Sequence, residues 1–162
     1  MENIKLKTVF LKNTYTTILE TIDENEPQQW GKMNVRQMIE HMSDYVRIAS
    51  GLTPMDVITP EDRLPKMQQF LMSEKPFPEN TPNVLMSEIP SPLKHQTKKE
   101  AIIELRNELD YFFKAHEVDL NKETRNPFFG ILNFEMQVQL LFKHATHHLR
   151  QFGIDTTLFA NV

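Results

Sequence analysis

NFEMQVQLLFKHATHHLRQFG, residues 133–153, reads as a single helix with both ends marked. Asn133 is the N-cap, a short polar side chain able to take the free N–H groups of the first turn. Glu135 follows in that turn, where the helix dipole favours negative charge. Gly153 ends the run after Phe152, where chains commonly leave a helix through a left-handed residue. Such a helix holds in water only when its apolar face is covered, so the rest of the chain must supply partners.

Three further segments repeat at helical period. Leu11, Tyr15, Ile18, Leu19 and Ile22 predict a helix over roughly 8–23, ended by Asp23-Glu24-Asn25-Glu26-Pro27. Met38, His41, Tyr45 and Ile48 share one face of a second helix, which starts at an Asn34 cap and closes at Gly51. A third runs from about Thr97 to His116, with Ile102, Leu105, Leu109, Phe112 and Phe113 as its apolar stripe. Asn126-Pro127-Phe128-Phe129-Gly130 is a turn with two aromatics to bury, and no strand alternation stands out. The predicted class is all-α, a four-helix bundle. Short links make the first and second helices, and the third and fourth, the expected neighbours.

Residues 52–96 hold eight of the ten prolines. That density forbids a long helix, although Met67–Met72 can form a short one. Neither flank is large enough for its own core, so 1–162 is read as one domain with a long proline-rich crossover between helices two and three. Loops of this length inside a compact domain often act as lids.

At 40% hydrophobic and 25% charged residues, the composition is that of a globular protein. A net charge of -4 without a basic patch gives no reason to expect nucleic acid as a partner. No apolar run approaches the ~20 residues of a membrane span. The N-terminal stretch scatters Lys5, Lys7 and Lys12 among polar residues, unlike a signal peptide, so a cytoplasmic location is expected. The absence of cysteine excludes disulfides, thiolate metal sites and cysteine nucleophiles. GxSxG, Walker and GxGxxG loops are missing, as are HExxH and the ExxH pairs of di-iron bundles. A transition metal would fall to histidine and carboxylate.

His144 and His148 are four residues apart, so both project from one helical face, which Gln137, Leu141 and Gln151 extend. Imidazoles at that spacing can converge on one cation. A third ligand must come from another element, and His41 is the best candidate; His95 and His116 rank lower. His147 lies between Lys143 and Arg150 and is expected on the solvent side. The bland account is that histidine and arginine gather at a helix C-terminus because positive charge complements the dipole there.

HATHHLRQ at 144–151 resembles the His-x-x-x-His-x-x-Gln ending of the DinB-like (YfiT-like) family of metalloenzymes. WGKMNVRQMIEHMSDYVRIASG at 30–51 resembles the segment in which that family carries its first metal histidine. NPFFG followed by a helix ending HHLRQFG looks like one particular branch. The resemblance implies an up-down-down-up four-helix bundle in which His41, His144 and His148 bind a divalent metal ion. Zinc or nickel comes first, with iron or manganese also acceptable to such donors. It implies a site that activates a bound water or thiol, as a hydrolase or a thiol-dependent S-transferase, on a small-molecule substrate such as a low-molecular-weight thiol. A homodimer is expected by the same analogy. Apart from the resemblance, Gln151 is a candidate to orient a ligand or bound water, and Tyr45, one turn beyond His41, either donates a proton or packs with its hydroxyl at the surface. Leu149-Arg150 stands where many members have arginine-glycine, which leaves ligation intact and bears on specificity. The alternatives are a non-catalytic metal- or small-ligand-binding bundle acting in stress response, and a structural bundle whose histidines merely cap the last helix.

Overall fold

The computed structural model describes residues 2–80 and 90–159. Pro82 and the rest of 81–89 in the crossover lie outside the described residues. The described chain is mostly helical with one small two-stranded sheet. Its helices are α1 (Glu2–Val9), α2 (Tyr15–Thr21), α3 (Val35–Ser50), α4 (Leu64–Met72), α5 (Lys98–Val118) and α6 (Phe134–Gln151). A π-helical stretch, Phe10–Thr14, joins α1 to α2, so the expected first helix is continuous but over-wide for one turn.

The helix ends follow the side chains that cap them. Asn34 accepts from the Gln37 backbone N–H at 2.9 Å, and the Gln37 side chain accepts from the Asn34 N–H at 2.9 Å. Thr97 and Glu100 form the same reciprocal box before α5. Asn133 accepts from Met136 at the start of α6. Gly51 (φ 84°) and Gly153 (φ 80°) leave their helices through the left-handed region.

Side-chain pairs fix the relative directions. Arg36, near the start of α3, donates to the carbonyls of His95 and Gln96 just ahead of α5, and Arg47 pairs with Glu108 at 2.7 Å. These two helices therefore run parallel. Lys7 meets Gln139 and Phe10 packs on Phe142, so the first helical segment runs parallel to α6. Arg106 binds Thr16 and Glu20, while Lys12 reaches Glu117, so that segment is antiparallel to α5. Sequence neighbours are not the most extensively packed pairs, although α5 meets α6 through Phe112, Phe113 and His116 on Phe134. The extensive contacts are α3 with α5, α1 with α6 and α2 with α5, because the links at 22–34 and 119–133 carry the chain past its neighbour. The main core, with Leu11, Leu19, Met38, Leu105, Phe112 and Leu141, lies among these helices.

The hairpin is the second departure. β1 (Thr124–Asn126) pairs antiparallel with β2 (Gly130–Leu132). Strands of three residues are too short to display an alternation, which is why none was legible. The turn between them is built by Asn126, whose side chain accepts from Phe128 and Phe129 N–H. The hairpin buries Phe129 and Leu132 in a second, smaller core with Leu71 of α4 and Leu140 of α6.

Two sets of polar contacts tie the crossover to the helices. On the outgoing side, Lys143 donates to the carbonyls of Phe70, Leu71 and Ser73, and Gln139 donates to Leu71 and Ser73. Lys7 completes this latch by joining Gln139 to Glu74. On the returning side, the buried Glu40 carboxylate accepts from Lys94 and His95 N–H at 2.8–3.0 Å. α4 is thereby held against α6, the helix that carries three histidines.

Candidate metal centre

His41 projects from α3 and His144 and His148 from α6, and their ring nitrogens meet. His41 Nε2 lies 3.0 Å from His144 Nε2, and His148 Nε2 lies 2.9 Å from the same atom. Residues 103 positions apart are brought together because α3 and α6 pack with these faces opposed. Neither His144 nor His148 uses a ring nitrogen on the carbonyls at the end of α6, so the capping account does not describe them.

Burial keeps all three rings neutral. His41 is pushed down to about 4, chiefly by loss of solvent, with Asp44 working in the opposite direction. His144 and His148 fall well below the usual 6.5, first through burial and then through the neighbouring imidazoles. A neutral imidazole keeps one lone pair for a ligand bond.

Gln151 decides which nitrogen of His148 carries it. The Gln151 Nε2 donates to the Trp30 carbonyl at 2.9 Å, which turns Oε1 toward His148 Nδ1 at 2.8 Å. His148 Nδ1–H is the donor in that bond, and Nε2 is left with its lone pair facing the cluster. A carbonyl partner of this kind is how metal-ligating histidines are commonly oriented. The amide is held from a third side by Gly31, where an added Cβ would stand 2.8 Å from Gln151 Nε2.

The cluster fits a cation better than it fits itself. Its three Nε2 atoms converge, yet one proton can bridge only one pair, so at least one inward-facing lone pair, on His148 or His41, is left without a donor. Tetrahedral ligands 2.0–2.1 Å from zinc stand about 3.3 Å apart, close to the observed spacings. No carboxylate joins the group among the described residues. Three neutral donors would leave the ion its full charge and at least one open position, the layout of a catalytic rather than a structural site.

The histidines form one wall of a cavity of about 380 Å³. Tyr45 lies against two of them, with ring centroids 4.1 Å from His144 and 5.0 Å from His41. Met67 and Phe70 of α4, Phe77 beyond it, and Phe128 and Phe129 of the hairpin close the other sides. The sequence marked Phe128 and Phe129 as aromatics to bury and the crossover as a lid-like loop, but not that they would share one cavity wall, since they come from separate segments. Trp30 also lines the cavity and meets His147 edge-on at 5.5 Å.

His147 corrects the expectation of a solvent-side residue. It is half-buried in the cavity wall with Nδ1 buried and without a partner, and burial lowers its pKa. The helix turns it inward because Trp30 and Phe77 cover that side. The lower-ranked histidines stay apart: His95 pairs with Glu104 at 2.6 Å, and His116 is buried against Phe112 and Phe134.

No family model, curated protein or solved structure matches this chain. No described helix is long and apolar enough to cross a membrane.

Proposed function

We propose that this chain is a metal-dependent enzyme of the DinB-like kind, a hydrolase or thiol-dependent S-transferase, with His41, His144 and His148 as its metal ligands. The observation that carries the reading is the convergence of three neutral Nε2 atoms at the wall of a cavity large enough for a small molecule. The pairwise helix directions support a four-helix bundle in the up-down-down-up order. A divalent cation, zinc or nickel foremost, would supply Lewis acidity toward a coordinated water or thiol.

The protein's own residues prepare that chemistry. Gln151 holds His148 in the tautomer that points a lone pair inward. Tyr45 lines the cavity beside the imidazoles, and its hydroxyl is the group that would hand over a proton in this reading. The aromatic wall gives the cavity a mostly apolar lining, in which electrostatic interactions at the imidazoles are stronger than in water. The opening of the cavity onto the imidazoles favours this reading over a purely metal-storing role.

The test is elemental analysis of the purified chain beside His41→Ala and His144→Ala. One divalent ion per chain, lost in both variants while helicity persists, is the expected outcome. Equal metal content in all three proteins would remove the basis for the proposal.

A further inference from the structure

The cavity wall says what kind of molecule can enter. Among the described residues that line it there is no aspartate, glutamate, lysine or arginine. Its polar side chains are the histidines, Tyr45, Trp30, Gln151, Asn80 and Asn126, and the Asn126 side-chain carbonyl is already spent on Phe128 and Phe129 N–H. The neighbouring cations have other partners: Arg150, whose charge reaches His147 and His148, is not among the lining residues and donates to Thr156 at 3.4 Å. Lys143 sits behind the ring of Phe70, 4.2 Å from its centroid, with its ammonium on three backbone carbonyls. Lys7 is held by Glu74 and Gln139. The stretch 81–89, TPNVLMSEI, contains no lysine or arginine that could supply a cation.

A ligand with several fixed charges would have to shed its water here against rings and thioethers. An unpaired buried charge is far more costly than a site of this kind can offset. Sites that take carboxylates or phosphates instead present arginine or lysine. We propose that the cavity binds a neutral, largely apolar small molecule, with an aromatic or branched body against Met67, Phe70, Phe77 and Phe129 and an uncharged reacting group at the histidines. This specificity rests on the histidines being the reacting end of the cavity. It selects, within the proposed function, against peptidic thiols that carry several carboxylates, and for a simple aryl or alkyl thiol, ester or amide.

The experiment uses chelator-treated, metal-free protein, so that it does not depend on ion binding. N-phenyl-1-naphthylamine, a neutral probe that fluoresces on leaving water, is titrated into the chain. 8-Anilino-1-naphthalenesulfonate, the same skeleton with a fixed negative charge, is titrated in parallel, and glutathione is tried as a competitor. The expected result is one neutral probe per chain, at least tenfold tighter than the sulfonate, and undisturbed by glutathione. Met67→Lys, which plants a cation in the wall, weakens the neutral probe at least tenfold and draws the sulfonate closer to it. The proposal is overturned if the neutral probe does not bind, if the sulfonate or glutathione binds as tightly, or if folded Met67→Lys protein binds the neutral probe unchanged. Should that variant fail to fold, the ratio measured on the unaltered chain decides. Cobalt(II) absorption recorded on the same preparation reports the metal ligands separately, so either reading can fall alone.

Discussion

Replacing Gly31 by alanine tests how the ligand geometry is set, from a residue that touches no histidine. Gly31 has φ +74°, and a Cβ there would lie 2.8 Å from Gln151 Nε2. The left-handed backbone costs a non-glycine residue about 1–2 kcal/mol. The clash is with the tip of a flexible side chain, which would normally step aside cheaply. Here it cannot, because that amide is buried and bonded to the Trp30 carbonyl and to His148 Nδ1. Displacing it sacrifices two hydrogen bonds, each contributing about 1 kcal/mol. Urea denaturation of metal-free Gly31→Ala should therefore show a loss of about 3 kcal/mol. With Nδ1–H of His148 no longer held, metal affinity measured by chelator competition should fall about 10–100-fold, the usual effect of removing a partner that orients a ligand. The decisive measurement is a double-mutant cycle with Gln151→Ala. In that background the clash and both bonds are already gone, so Gly31→Ala should cost only its backbone strain, about 1–2 kcal/mol. Equal costs in the two backgrounds, or unchanged metal affinity in the single variant, would refute the chain from Gly31 through Gln151 to His148.

Acid should destabilise the metal-free protein in a defined window. His41 is lowered from 6.5 to about 4, so the unfolded chain takes up a proton first and stability declines as pH falls from 6.5 toward 4. That difference is worth about 3 kcal/mol from His41 alone, with His144 and His148 acting in the same direction. Denaturant midpoints at pH 7.5 and 4.5 measure it, and a flat profile would contradict neutral burial. Lys143→Met should cost about 2 kcal/mol by leaving carbonyls at the end of α4 short of a charged donor, and amide exchange within 64–73 should speed up. An unchanged exchange pattern there would mean that the latch does not hold the cavity wall.

The sequence alone determined what depends on neighbours a few positions away. Asn34, Thr97 and Asn133 start helices and Gly51 and Gly153 end them because a cap acts within one turn. For the same reason His144, His148 and Gln151 had to share a face, since spacings of three and four fix that on any α-helix. Which helices touch was not local information. The links at 22–34 and 119–133 can reach more than one neighbour, and only burial of the competing apolar stripes selects α3 with α5 and α1 with α6. That packing sets His41 3.0 Å from His144 rather than somewhere along the same groove. It also turns His147 inward under Trp30 and Phe77, and folds the crossover and a hairpin of two three-residue strands into an apolar cavity that no single segment could announce. Backbone preference therefore wrote the helices and one pair of imidazoles, and the third imidazole and the chamber beside it came from side chains far apart in sequence competing to leave water.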